Sequence, residues 1–321
     1  MTFLKSLRPV VRLVALCAVL LIVSTGSVAA QSCGDTLYAS TTLTHDLLGC
    51  PGVGLFLGAS DVTLDLNGHQ IVGAAGNIGI SVFPGTNDVA VSGPGTVTGF
   101  RTGFWTRDNE RLIVRGVSFL DNDGAGIECA EMVDSEIDGN LVLGSTWGIT
   151  LYGSGAPADD NRIVNNRVAE CQPGGHGIEI ETGARHDLRS NYVKGCDTGI
   201  LLNGTSDSFV KGNAVIDNTT GILVVSGYEG PMERNVVAGN KVYDNVAGIV
   251  VTSGAAAMYP VEETFVEGNA IQGGTWGIDV EDALCIGTHL IENQLWWQAD
   301  PITDFGTATV SMNNTCDGLP C

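Results

Sequence analysis

Ten segments of the chain open in nearly the same way, with a glycine, an apolar residue, any residue and a second apolar one, and they recur every 22 to 29 residues. The leading residues are Leu55, Ile80, Phe104, Ile127, Ile149, Ile178, Ile200, Ile222, Ile249 and Ile278. Apolar residues at alternate positions mark a strand with one buried face. A second strand then leads to an asparagine, at Asn140, Asn166, Asn191, Asn213, Asn240, Asn269 and Asn293. In the regular units 13 residues separate isoleucine from asparagine and 9 separate asparagine from the next isoleucine, so one unit is 22 residues long. So short a unit cannot bury its apolar face alone, whereas units stacked about 4.8 Å apart enclose a continuous core. The turns leave no room for crossover helices, which excludes a doubly wound sheet and a (β/α)8 barrel. An all-β solenoid of about ten coils is expected, with the leading isoleucines in one inward column. Asparagine is expected at the bend because it tolerates left-handed backbone and because stacked amides can form a ladder.

The first thirty residues stand outside this repeat. Lys5, Arg8 and Arg12 give a basic start, residues 13–23 a short apolar run, and Val28-Ala29-Ala30 a small-residue site, the three parts of a secretory signal cleaved after Ala30. The apolar run falls well short of the roughly 20 residues that span a bilayer. Export without membrane insertion is therefore expected. Beyond the signal, an amino-terminal cap over 31–54, coils over 55–295 and a carboxyl-terminal cap over 296–321 are expected, with Trp296-Trp297 covering the open end of the stack. The formal net charge of −21 argues against nucleic acid and anionic membrane as partners.

Of nine cysteines only Cys17 falls in the leader, and no Cys-x-x-Cys pair occurs. Disulfides are expected rather than a metal cluster. Cys33 and Cys50 bracket the first ordered segment and are expected to tie down its cap. Cys171 and Cys196 each lie five residues after an asparagine, so adjacent coils stack them within disulfide reach. Cys129, two residues after Ile127, is expected as a buried free thiol. Cys285, Cys316 and Cys321 leave room for one pair and one thiol.

Departures from the 22-residue coil point to a site. The units at Ile149, Ile222 and Ile249 carry 4, 5 and 7 extra residues before the asparagine, and 3 more are inserted just before Ile178. Insertions gathered around one face of a repeat protein can wall a binding surface. Residues one and three after each leading isoleucine face outward on that sheet. They include Glu128, Tyr152, Glu179 with Glu181, and Asp279 with Glu281. Glu179 and Glu181 are the catalytic candidates, because carboxylates two apart on an exposed strand project together about 7 Å apart, a separation suited to acid and base work on a glycosidic bond. His176 precedes them. Glu128, Tyr152, Trp147 and Trp276 are the substrate-binding candidates, the tryptophans as platforms for sugar rings. The competing reading is that the carboxylates are solvated strand residues that prevent edge-to-edge aggregation and that the tryptophans serve turns.

The segments Cys33-Gly34-Asp35-Thr36, Gly49-Cys50-Pro51-Gly52 and Thr63-Leu64-Asp65-Leu66-Asn67-Gly68-His69 resemble the opening of secreted right-handed parallel β-helix repeat proteins, the pectate lyase-like and polygalacturonase-like solenoids. The resemblance implies a single-stranded right-handed parallel β-helix with capped ends. The family holds pectin-degrading enzymes, alginate epimerases and lyases, and a periplasmic group that helps deliver copper. Gly175-His176-Gly177 resembles the Gly-His-Gly element of polygalacturonases, but their Asn-Thr-Asp, Asp-Asp and Arg-Ile-Lys elements have no counterpart in the right place. The Asp-Pro-His-Asp run of alginate epimerases is absent too, and no lysine lies near the proposed site to serve a lyase.

His45, His69, His176, His186 and His289 are too scattered for a copper or zinc site. Calcium fits Asp-rich turns such as Asp121-Asn122-Asp123, although turn geometry explains the same residues. No other cofactor is expected. The function expected is binding of, or action on, extracellular polysaccharide along one repeat face, as a hydrolase or lyase. The alternatives are a noncatalytic adhesion or scaffold protein and a periplasmic copper-maturation protein.

Overall fold

The structure, a computed structural model, describes residues 30–74, 76–154, 156, 158–226, 232–254 and 259–321. The expected secretory signal lies outside the described residues. Among the described residues of the unit Gln31–Cys321 every regular element is a strand, and no helix is long and apolar enough to cross a membrane.

Three parallel sheets run along the stack, and each coil gives one strand to each. The first sheet has 12 strands, from Asp35–Leu37 to Asp300–Asp304, so both segments expected to be caps also contribute coils. Its register pairs Ile127 with Ile149, then with Ile178, Ile200, Ile222, Ile249, Ile278 and Ile302 in succession. The seven isoleucines from Ile127 to Ile278 are all 0% exposed, as the repeat requires. The glycine before each is explained by space rather than by backbone torsion. A Cβ on Gly148 would come 2.3 Å from the carbonyl oxygen of Gly177 and 2.2 Å from Val168 Cγ1, so any side chain there would force the coils apart.

The asparagines form the expected ladder at the bend into the third sheet. Each buried amide donates to the next, with Asn166 Nδ2 3.1 Å from Asn191 Oδ1 and Asn191 Nδ2 3.0 Å from Asn213 Oδ1. Each side-chain oxygen also accepts the backbone N–H of the asparagine one coil back, as Asn191 Oδ1 does for Asn166. The left-handed residue of the bend is not the asparagine but its predecessor, Gly139, Asn165, Ser190 or Gly212. Asparagine is needed because a buried corner leaves backbone groups that only its amide can pair with on both sides.

Three disulfides join Cys33 to Cys50, Cys171 to Cys196 and Cys316 to Cys321, and Cys129 and Cys285 are buried free thiols. The Cα atoms of Cys171 and Cys196 lie 4.7 Å apart, one strand spacing, as stacking predicts. Trp297 is 72% exposed and does not cover the end of the stack. An antiparallel pairing of Thr315–Cys316 with Leu319–Pro320, closed by the last disulfide, covers the third sheet's final edge instead. The extra residues after Ile222 and Ile249 also do more than form loops. Met232–Glu233, Val261–Glu262 and Cys285–Ile286 stack into a fourth, three-stranded sheet.

His186 occupies a buried polar column at the corner before the second sheet. It is 0% exposed, and neither ring nitrogen makes a well-formed hydrogen bond among the described residues. Burial drives its pKa down to about 4, with the nearby backbone of Thr182 and Ala158 offsetting only part of that. The unfolded chain therefore binds a proton between pH 6.5 and 4 that the fold refuses. Stability is complete above about pH 6.5 and falls as the pH drops towards about 4, by about 3 kcal/mol from this residue. His186→Asn, which copies Asn161 and Asn235 of the same column, is expected to flatten that acid limb in urea midpoints measured across the range. An unchanged slope would assign the acid sensitivity to other groups.

Candidate functional site

The outward face of the first sheet carries two rows. Glu128, Thr150, Glu179, Leu201, Leu223, Val250 and Asp279 stack in one, and Ala130, Tyr152, Glu181, Asn203, Val225 and Thr252 in the other. Along this face lie two depressions. The lower, of about 360 Å³, gathers Glu128, Trp147, Thr150, Tyr152, Glu179 and Glu181, and is lined also by Arg101, Thr102 and Gly124. The upper, of about 490 Å³, holds Trp276, Asp279 and Glu281 with Leu223, Val225 and Val250.

Glu179 is not the solvated strand residue that alternation alone implies. It is 6% exposed. His176 Nδ1 lies 2.9 Å from its Oε1, and Thr150 Oγ1 is 3.5 Å from its Oε2. The hydrogen bond to Glu179 favours the imidazolium and raises the His176 pKa, outweighing the opposing effect of burial. Glu181, two residues on, is partly exposed and accepts from Asn203 Nδ2 at 3.4 Å. Glu128 accepts from Thr102 Oγ1 at 3.1 Å and from the Tyr152 hydroxyl at 3.0 Å. Burial and the Glu128 carboxylate push the Tyr152 phenol up to about 12, so it stays protonated and donates. Beside it Arg107 donates to Ser154 Oγ at 2.7 Å and approaches Glu131 at 3.4 Å.

Glu179, Glu181, Glu128, Tyr152 and Trp147 thus line one depression, and His176 is joined to them through Glu179. Trp276 lies apart, in the upper depression. Trp147 and Trp276 are each 40% exposed and hold the same position two before a leading isoleucine. There Asp279 has its pKa raised by burial and by Glu281. Of the described residues in the inserted loops, Gly254 lines the upper depression of this face. The lower depression is lined also by Arg101 and Thr102, which counting outward positions missed. Thr102 sits two before Phe104, as Trp147 and His176 sit before their own isoleucines, and that spacing could have revealed it. Arg101 lies in a corner and carries no such signal. The insertion before Ile178 has a different use, since Cys196 Sγ would lie 3.4 Å from a Cβ on Gly177. The Cys171–Cys196 disulfide thus packs against the backbone that carries His176.

Among the described residues no three His, Cys, Asp or Glu side chains gather as metal ligands. In the Asp121–Asp123 turn, Asn122 accepts from the Phe100 backbone N–H and donates to the Val97 carbonyl oxygen, and Asp121 is left-handed, so these residues hold the corner.

A family model described as a right handed beta helix region matches residues 134–295, and one described as a periplasmic copper-binding protein (NosD) matches residues 67–192. No curated protein matches the chain by sequence. Among solved structures, the chain is similar to DFA-IIIase from Arthrobacter chlorophenolicus A6 in complex with DFA-III, at 14% identity and TM-score 0.58 over 86% of this chain and 76% of that one. It is also similar to the catalytic unit of a thermostable GH87 α-1,3-glucanase from Streptomyces thermodiastaticus, at 16% identity and TM-score 0.57 over 88% and 62%. A third is PfbA, a surface protein and adhesin of Streptococcus pneumoniae, at 14% identity and TM-score 0.57 over 88% and 90%. The chain spans only 62% of the glucanase unit and 58% of the Dettilon tailspike protein. At these identities the likeness is one of fold. With the first family model covering about half of the 321 residues and its coils confirmed strand by strand, the chain belongs to the right handed beta helix region family.

Proposed function

We propose that the protein binds an extracellular glycan in the lower depression and hydrolyses it with Glu179 and Glu181. The observation that carries this reading is a buried carboxylate held by a histidine, beside a second carboxylate and a half-exposed tryptophan, in one concavity. Concave sites with a few converging polar groups are where small polar ligands bind. Glu179, oriented by His176, is the base that takes a proton from water as it attacks the anomeric carbon. Glu181 is the acid that protonates the departing glycosidic oxygen as that C–O bond breaks. His176 is a positioning residue. Two residues apart on one strand, the carboxylates are separated by about 7 Å, which leaves space for the water and favours inversion over the closer, double-displacement arrangement.

A lyase or epimerase acting on a uronate needs cations to neutralise the sugar carboxylate, and among the described lining residues Arg101 alone has a fixed positive charge. Hydrolysis of an uncharged chain suits this face better. The α-1,3-glucanase shows that such a solenoid can act on polysaccharide. The histidines inside the NosD match lie apart, with His69 against Asp46, His176 against Glu179 and His186 buried, which does not favour a copper role. The disulfides fit the oxidising extracellular or periplasmic setting that cleavage after Ala30 would give.

The test is a panel of neutral and acidic polysaccharides scored for new reducing ends and for unsaturated products, with the anomer followed by proton NMR. Reducing ends of inverted configuration are the expected result. Retention would reject the acid and base pairing, unsaturated products would replace hydrolysis with elimination, and binding without cleavage would favour the adhesion alternative.

A further inference from the structure

The two depressions share a design. Each sets a tryptophan two positions before a leading isoleucine, at 40% exposure, near carboxylates of the outward rows. Five strand steps separate the coil of Trp147 from that of Trp276, through the coils of Ile178, Ile200, Ile222 and Ile249. At about 4.8 Å per step the two rings are roughly 24 Å apart along the stack. The intervening coils keep the path polar at its edge, through Thr198 and Thr220, and apolar at its floor, through Leu201 and Leu223.

We propose that this face binds a linear, neutral glycan lying along the stack from Trp147 to Trp276, with the upper depression as a remote subsite. The proposal rests on the hydrolase reading and extends it to substrate length and charge. Sugar rings have apolar faces that stack on indole, and hydroxyl edges that donate to carboxylates such as Asp279 and Glu281. Among the described residues no cationic side chain lines the upper depression, and a chain of net charge −21 repels polyuronates and sulfated polymers. A hexose advances a linear chain by about one strand spacing, so contact with both tryptophans needs roughly six residues.

The experiment uses oligosaccharides of three and seven residues from neutral glucans of several linkages, with oligogalacturonates of the same sizes, titrated at low temperature against the tryptophan fluorescence of the mature protein. Affinity for the neutral series should rise about tenfold or more from three to seven residues. Trp276→Ala should bring that ratio close to one, while Trp276→Phe, which keeps an aromatic face, should retain most of it. A melting curve on each variant checks the fold. An unchanged ratio in Trp276→Ala, or oligogalacturonates binding as tightly as neutral chains, would overturn the proposal. If the short neutral chain binds and is cleaved but length adds nothing, only the remote subsite fails. If no neutral glycan binds, the hydrolase reading fails with it.

Discussion

Ile200→Asp is expected to abolish folding, with no native protein recovered from an export host that yields the parent well. Ile200 is 0% exposed, in register with Ile178 on one side and Ile222 on the other. An aspartate there would be a charge with no partner in an apolar column, or a proton taken up at the cost of a shifted pKa. Either route costs about 5 kcal/mol, which is as large as the whole stability of many domains. Ile200→Val removes one methylene from the same place and should cost only about 1 kcal/mol. Near-parental yield and melting of the aspartate variant would show that the column is not the core. Failure of the valine variant would show that the coil is fragile for some other reason.

Glu179→Gln and Glu181→Gln should each lower glycan cleavage by about 10²- to 10⁴-fold, the usual contribution of a positioned acid or base. The substitution keeps size and leaves an amide oxygen, so in Glu179→Gln that oxygen can still accept from His176 and the fold should survive. Glu181 is partly exposed, and its variant should melt within a degree or two of the parent. Binding of short neutral chains should persist in both, which separates lost chemistry from lost affinity. If cleavage occurs in the parent and both variants retain it, the catalytic groups lie elsewhere. If Glu179→Gln also abolishes folding, Glu179 is mainly a structural partner of His176.

The sequence by itself determined the period of the coil, the inward isoleucine column, the asparagine ladder and the pairing of Cys171 with Cys196. In a parallel stack the neighbour of any residue is the one at the same point of the next repeat, so counting along the chain is counting contacts across it. The same logic placed Cys129 opposite Thr106 and Leu151, with no cysteine to pair with. It brought Glu179 and Glu181 onto one face, but it could not show that Glu179 sinks into that face while Glu181 stays in reach of solvent. That difference depends on Thr150 and His176, whose side-chain directions no periodicity encodes. The tertiary structure alone decided that the left-handed residue of the bend precedes the asparagine, whose amide is occupied by the backbone and the asparagine side chains of adjoining coils. It also turned the longer insertions into a small fourth sheet, because extra strand edges stacked one above another pair with each other. Repetition fixes what lies above and below a residue, whereas the walls of a site come from corners, where the chain leaves the repeat and lateral packing takes over.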